Sequence, residues 1–357
     1  MIDYRPNRCL PILALLCLCA FASASYGQTP LPSEVLTAID AAPFRKQIDT
    51  FVDALTAKLA GADATAWGPA RMAIIGVVGP TVSPGFIDQY ADSLNTRLAP
   101  AAANPDARVR LNAAIVAARI ASRANNGRLA GITEKLLHDN SDAVVLWALQ
   151  AAKYIVPSLL QSNNFNVSGK LGQQAVQAAK DHVTGQIAEE AYRVLLLDAT
   201  AGTTNSTDSL KNLTPAAITS FAPNTLAFFE SRVNQYATAI PPQPVADTWA
   251  ATFFGRPQVW SALPPQSQGQ VLTAMLNLIK GSATQLQLGN AQEMRDVLRR
   301  TAQAIGIIAA ASLKNSALEK AAKGLSSISN DTSAEEIQSR IATLEAAIKA
   351  LAIAAAP

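Results

Sequence analysis

The chain has 357 residues, of which 49% are hydrophobic and only 6% aromatic, and its formal net charge is +3. This near-balance of charge argues against a general nucleic-acid binder, which is normally visibly basic. Abundant alanine and scarce aromatic residues favour closely packed helices over sheets, because alanine is the best helix former and a poor strand residue.

The first thirty residues have the pattern of a secretory signal peptide. Two arginines precede an apolar run, 10–21, and the small residues 22–24 follow in the order that signal peptidase reads. The run is too short to cross a bilayer as a helix, which takes about 20 residues. We therefore predict cleavage after Ala24 and export to the periplasm or beyond; the alternative is an N-terminal membrane anchor. All three cysteines lie in this segment, so the mature chain is predicted to have no disulfide and no thiolate metal site.

Beyond this segment, apolar residues recur three or four positions apart, the spacing that puts them on one face of a helix. In the first half of the chain they predict helices over 44–59, 66–79, 83–98, 111–121, 127–138, 147–156, 170–182 and 184–198. Ser83 followed by Pro84 is a helix start, since the missing N–H of proline costs nothing there.

Two segments of the first half repeat at an offset of 36 residues. Asn-Pro-Asp-Ala-Arg-Val begins at Asn104, and Asn-Ser-Asp-Ala-Val-Val begins at Asn140. Each asparagine is predicted to cap an alanine-rich helix, and a shorter amphipathic helix precedes each segment. A period near 36, made of two helices with an aspartate in the tight turn, is typical of a helical solenoid.

At these residues the sequence resembles the HEAT-repeat family. The matching positions are Asp106, Val109 and Arg110 in the first unit, Asp142 and Val145 in the second, and the alanine-rich helices 113–118 and 148–152. The resemblance covers about 44–198 and departs at Leu146, where the first unit has Arg110. It implies an all-α fold, a HEAT-like α-α superhelix (solenoid), and it implies no activity.

The second half of the chain loses this period. A helix through 226–236 and helices over 266–287, 291–313, 315–325 and 333–352 are predicted there, with a proline-rich loop at 249–265. Ser333 and Glu336 form a capping box that opens the last helix. The predicted parts of the chain are a signal peptide 1–24, HEAT-like repeats 32–198, a small and polar linker 199–215, and a C-terminal helical domain 216–357. The C-terminal domain is either a helical bundle or an irregular continuation of the solenoid.

Residues that carry catalysis are scarce. Only two histidines occur, His138 and His182, and each ends a predicted helix, where the helix dipole favours a cation; we interpret neither as a metal ligand. No nucleophile elbow and no phosphate-binding glycine loop is present. The adjacent acids Glu189 and Glu190 are predicted to lie on a solvated helix surface. We predict no catalytic residue, no cofactor and no metal ion, although paired carboxylates have no short motif by which to find them.

The arginines between 107 and 133 form the clearest charge pattern of the sequence. No acidic residue occurs from 107 to 133, and Arg108, Arg119 and Arg123 are spaced by eleven and four, which puts them along one side of a helix. We hypothesise that this stripe receives an anionic partner, such as an acidic protein segment or a cell-envelope polymer. The alternative is a solvated face that is balanced by acids on neighbouring helices, such as Asp88, Asp92 and Glu134.

Four large aromatic residues gather in the stretch 249–265. They are Trp249, Phe253, Phe254 and Trp260. Such a group could be an exposed surface that binds sugar or peptide, because aromatic residues dominate many binding hot spots. The alternative is that these residues seal the junction between the two halves of the chain.

Together these patterns favour an exported, non-enzymatic helical-repeat scaffold that binds a protein or an anionic envelope polymer. They favour no nucleic-acid partner, and no transmembrane helix is predicted after signal cleavage. The alternatives are a structural component of the cell envelope and a carboxylate-dependent periplasmic hydrolase.

Overall fold

The computed structural model of the chain describes residues 30–198, 200–201, 209–289 and 291–354. All regular structure in these residues is helical and no strand occurs among them, so the predicted all-α class is confirmed. The predicted signal peptide, 1–24, lies outside the described residues, and so do 199 and 202–208 of the predicted linker.

The helices of the first half are α1 (Ser33–Thr37), α2 (Arg45–Ala60), α3 (Ala64–Gly76), α4 (Pro84–Arg97), α5 (Ala99–Ala102), α6 (Ala107–Ala124), α7 (Ala130–Leu137), α8 (Asp142–Gln161), α9 (Phe165–Asp181) and α10 (Gly185–Leu195). Eight of these helices correspond to the predicted ones, and the short helices α1 and α5 were not predicted. The two repeated helices, α6 and α8, extend at both ends beyond the predicted 111–121 and 147–156, and the added turns of α8 bury Val144, Val145, Leu159 and Leu160.

The second half is helical as well. Its helices are α11 (Pro215–Gln235), α12 (Asp247–Gly255), α13 (Pro257–Ala262), α14 (Pro265–Gln287), α15 (Ala291–Ile307), α16 (Ser316–Ser326) and α17 (Ala334–Ala354). The predicted loop at 249–265 is wrong, since α12 and α13 occupy most of it. Pro257 and Pro265 stand at the first position of a helix, where no N–H is needed, and so they begin helices here rather than break them.

Short polar side chains begin several helices by accepting a backbone N–H. Ser83 does so for Phe86, which confirms the predicted start of α4. The predicted asparagine caps are wrong: Asp106 caps α6 and accepts the N–H of Arg108 at 2.8 Å, and Ser141 precedes α8. Asn104 braces the turn instead, because its side chain accepts the N–H of Asp106 and donates to the carbonyl of Ala60.

The longer helices pack as two series of neighbours. We call α2, α4, α7, α9, α11, α14 and α17 the first row, and α3, α6, α8, α10, α12, α15 and α16 the second row. Successive helices of the first row contact one another, and each packs on a helix of the second row. The second row has its most extensive contacts between α6 and α8, between α8 and α10, and between α15 and α16. Helix α11 also contacts α9 and α10, which lie on the other side of the predicted linker.

The order of the two rows reverses near the end of the chain. Helix α15 continues as a π-helical turn, Ile308–Leu313, and Lys314 closes it in the left-handed region with φ of 50°. This turn leads directly into α16, which lies beside α15 in the second row, and α17 then returns to the first row. The helix predicted over 291–313 thus changes from α-helical to π-helical pitch at Ile308, just before the chain turns back within the second row.

Polar contacts join consecutive turns along one edge of the rows. We call Ala60, Asn104, Arg110, Asp139 and His182 the turn ladder. Asn104 donates to the carbonyl of Ala60 at 3.1 Å, and Arg110 binds both carboxylate oxygens of Asp139 at 2.5 and 3.1 Å. The Nε2 atom of His182 lies 3.0 Å from the carbonyl of Asp139. Four successive turns are thus bonded each to the next.

Removing the central rung of the turn ladder is expected to destabilise the fold. Asp139 has a side chain only 6% exposed, so the substitution Arg110→Met leaves a buried carboxylate without its main partner. We expect a loss of about 1–3 kcal/mol in the free energy of unfolding, measured by urea denaturation followed by circular dichroism. The control, Arg108→Met, alters an exposed arginine of the same helix and should leave the midpoint nearly unchanged. Equal midpoints for the two variants would show that the ladder contributes no stability.

Helix α8 lies at the centre of the packing. Within the described residues it is the one helix long and apolar enough to cross a membrane by length and composition, and 56% of that window is buried inside the fold. Ten of its residues are buried against neighbouring helices. A buried core helix passes the same test, so this composition does not identify a membrane span.

Candidate functional site

The three arginines of the predicted stripe lie on one face of α6. Arg108, Arg119 and Arg123 are all exposed, whereas nine other residues of the helix are buried in the core. This face is open because α6 packs on α4 and α5 on one side and on α3 and α8 in its own row. The structure therefore brings the stripe together on the outer face of the second row.

Each of the first two arginines stacks on a tryptophan of a neighbouring helix in the second row. The guanidinium carbon of Arg108 lies 5.1 Å from the ring centre of Trp67 in α3, and that of Arg119 lies 5.3 Å from Trp147 in α8. A third stack follows farther along, where the guanidinium of Arg193 in α10 lies 5.8 Å from Trp249 in α12. Cation–π contacts of this kind are worth about 0.5–1 kcal/mol at exposed sites. We call these three stacks, on the outer face of α3, α6, α8, α10 and α12, the arginine–tryptophan row.

Only one arginine of the stripe meets an acid. Arg108 binds Asp106 at 2.6 Å, and this hydrogen bond lowers the pKa of Asp106 to about 2. Arg119 and Arg123 have no carboxylate within ion-pair distance in the part of the chain that the structure describes. Two exposed cations therefore stand on α6 without a compensating charge.

The acids expected to balance the stripe face the first row instead. Asp88 accepts from Asn126 at 2.6 Å, Asp92 pairs with Arg128 at 3.2 Å, and Glu134 pairs with Lys170 at 2.5 Å. Helix α4 carries both aspartates and α7 carries Glu134, so none of them reaches the open face of α6. That balancing interpretation is wrong for these three acids.

The cluster farther along the second row is electrically balanced. Lys153 of α8 binds Glu190 of α10 at 3.1 Å, and Arg193 binds Glu190 at 2.6 Å and Glu189 at 3.5 Å. The prediction of a solvated acidic pair is wrong for Glu190, which is buried because the two cations cover it. The open face is thus cationic over α6 and neutral between α8 and α10.

The predicted aromatic surface does not exist as a surface. Phe253, Phe254 and Trp260 are buried, with Phe254 packed edge-on to Phe253 at 5.2 Å and tilted against Phe229 at 6.4 Å. Phe253 and Phe254 face inward because α12 lies between α11 and α15 and packs on both, and Trp260 belongs to α13, which packs on α11. Trp249 alone of the four is partly exposed, and it belongs to the arginine–tryptophan row.

The two histidines have structural partners. His138 is exposed, and its Nδ1 lies 2.9 Å from the carbonyl of Glu134 within α7. His182 follows α9, and its Nδ1 lies 2.6 Å from Asp142 while its Nε2 meets the turn ladder at Asp139. Among the described residues, no group of three or more His, Cys, Asp or Glu side chains is placed to hold a metal ion.

One open cavity contains two carboxylates. It measures about 530 Å³ beside α2 and is lined by Asp49, Asp53 and Arg97 among others. Arg97 lies 3.2 Å from Asp49 and 2.7 Å from Asp53, so the two acids form a salt-bridge cluster that joins α2 to α4. This cluster resembles the other charge pairs between neighbouring helices of the first row, such as Lys280 with Glu345 at 2.7 Å.

No protein-family model and no curated protein matches this chain significantly. Function has to be inferred from its own residues and contacts. Sequence reasoning found the three arginines but missed Trp67 and Trp147, because nothing in the linear pattern says which ring an arginine will meet.

Proposed function

We propose that this protein is an exported, non-enzymatic α-solenoid scaffold whose second row binds a partner. The two-row packing supports a solenoid, since each helix pair contacts the pairs on either side and buries a face that it could not bury alone. In the first half of the chain, the turn ladder adds polar bonds between four successive turns. The proposed export rests on the signal-peptide pattern of 1–24.

We extend the solenoid through the second half of the chain. The first row continues from α9 through α11 to α14, and α12 packs on α15 in the second row. Between α10 and α12 the backbones make little contact, and side chains such as Tyr192 and Asp247 join the two helices. The pair α16 and α17 occupies both rows in reversed chain order. This arrangement favours an irregular continuation of the repeats over a separate helical bundle.

The observation that supports binding is the unbalanced charge on α6. Arg119 and Arg123 are exposed without an ion-pair partner in the described residues, and Trp147 lies beside them. Arginine and tryptophan are the residues most enriched in binding hot spots. In the HEAT repeats that this sequence resembles, the second helix of each pair lines the concave side, so the proposed surface is the inner face of the superhelix. Its partner is a protein or an anionic polymer of the envelope.

Co-purification with charge-reversed variants tests this function. Tagged wild-type protein is expressed in its native cells, and the bound material is compared with that on Arg119→Glu/Arg123→Glu. The control, Lys46→Glu/Lys180→Glu, makes the same change in net charge on exposed residues of the first row. We expect a partner that is retained by the wild type and the control and is lost from the arginine variant by at least tenfold. Identical material on all three proteins would reject the second row as a binding surface.

A further inference from the structure

The open face of the second row is not uniform, and this limits what can bind it. Over α6 it carries Arg119 and Arg123 without acids among the described residues. Over α8 the half-exposed side chains include the apolar or aromatic Leu146, Trp147 and Tyr154, with the polar Gln150 and Lys153 among them. Over α10 it carries Glu189 and Glu190 next to the cations that bind them.

We propose that the partner segment is an extended polypeptide with acidic residues followed by an aliphatic or aromatic anchor. This inference rests on the proposed function and names the chemistry of its partner. The acidic residues lie over α6, the anchor packs on the rings of Trp147 and Tyr154 in α8, and uncharged residues follow over α10.

A uniform polyanion fits this face less well than such a peptide. A polymer with a charge on every unit gains from Arg119 and Arg123, but over α8 and α10 it meets a neutral face whose cations are already paired with Glu189 and Glu190. It also has no apolar group for the rings of α8. A polypeptide can change its side chains along its length and so match both parts of the face.

The stacked arginine is positioned before the partner arrives. Trp147 holds the guanidinium of Arg119 at 5.3 Å, so less side-chain freedom is lost when a carboxylate binds it. A guanidinium presents a fixed fork of donors that matches the two oxygens of a carboxylate. Arg123, one helical turn farther on, can take a second acid of the same segment.

The spacing of the helices sets the length of the segment. Packed helices lie about 8–10 Å apart, so α6 to α10 spans roughly 20 Å. An extended chain advances about 3.3 Å per residue and covers this distance in about six residues. A decapeptide is therefore long enough to reach all three helices.

Fluorescence anisotropy with labelled decapeptide mixtures tests this inference on the full chain. The first mixture has Asp or Glu at positions 1–3, Leu, Phe or Trp at 4–6, and Ala, Gln or Ser at 7–10. The second replaces the acids by Lys, and the third probe is deca-glutamate. We expect the first mixture to bind at least tenfold more tightly than the other two. Arg119→Glu/Arg123→Glu should weaken it at least tenfold and Trp147→Ala at least threefold, while Lys46→Glu/Lys180→Glu should bind like the wild type.

Other results would overturn the inference in distinguishable ways. If deca-glutamate or polygalacturonate binds more tightly than the first mixture, the partner is a uniform polyanion. If neither peptides nor polyanions bind, while co-purification still depends on Arg119 and Arg123, the proposed function stands and the peptide is rejected. If co-purification is also indifferent to the arginines, both fail together.

Discussion

Replacing Asp247 by alanine is expected to lower the free energy of unfolding by about 3–5 kcal/mol, because it leaves a buried arginine without its carboxylate partner. Arg232 is 4% exposed and Asp247 is fully buried, and their side chains meet at 2.9 and 3.1 Å. Tyr192 and Tyr236 also donate to this carboxylate, at 2.6 and 2.9 Å. Burial, reinforced by the charge of Asp247, raises the pKa of both phenols, so they remain neutral donors.

This cluster joins three helices across the predicted linker. Tyr192 belongs to α10, Arg232 to α11, and Asp247 is the first residue of α12, where the helix dipole favours an anion. The ring of Tyr192 also packs on Phe228 at 4.7 Å. Loss of the carboxylate therefore leaves one cation and two phenols buried without their common acceptor.

Urea denaturation of a pair of variants checks this expectation. Asp247→Ala should lose the full amount, whereas Asp247→Leu/Arg232→Met removes both charges and should recover much of it, since apolar groups can replace a buried ion pair at little cost. A double variant as unstable as Asp247→Ala would mean that lost packing, not the stranded charge, governs stability. If Asp247→Ala is as stable as the wild type, the cluster contributes no stability to the fold.

Gly172→Ala is expected to destabilise the protein by about 1–3 kcal/mol, although alanine is the better helix former. A Cβ atom at this position would lie 2.7 Å from the ring of Phe221 and 2.6 Å from the amide of Asn224, both in α11. Phe221 is buried and has little room to move. The added methyl group therefore pushes α9 away from α11, again across the predicted linker.

Gly169 provides a matched control in the same helix. A Cβ atom there meets nothing within 4 Å, so Gly169→Ala should stabilise the protein by about 0.5–1 kcal/mol through helix propensity alone. Thermal unfolding of the two variants side by side should give shifts of opposite sign. Shifts of the same sign would mean that α9 and α11 are not held in this close contact.

The sequence predicted where helices lie along the chain far better than which helices pack on one another. Periodicity located the helices of the first half, because a buried face imposes its spacing on the chain whatever it packs against. It failed at 249–265, where proline can either break a helix or begin one, and only the preceding backbone decides which. It also gave no sign that the pitch changes at Ile308, since a π-helical turn has no simple residue pattern.

The candidate site was predictable only in part. The spacing of Arg108, Arg119 and Arg123 was enough to place them on one face, because a helix fixes the relation between spacing and direction. Their aromatic partners come from other helices, and sequence alone gives no distance between α6 and α8. The same limit explains why Phe253 and Phe254 could be taken for a surface when packing on other helices buries them.

The spacing between Arg119 and Trp147 is set by residues of the protein interior. Five of the nine buried residues of α6 are alanine, and α8 buries three more. Alanine has no rotamers to adjust, so two helices meeting through it settle at one short separation. Substituting larger residues at these hidden positions would widen the gap between Arg119 and Trp147 without altering either. The methyl groups of the interior thus fix the distance between these two surface residues, and substitutions inside the protein would change it.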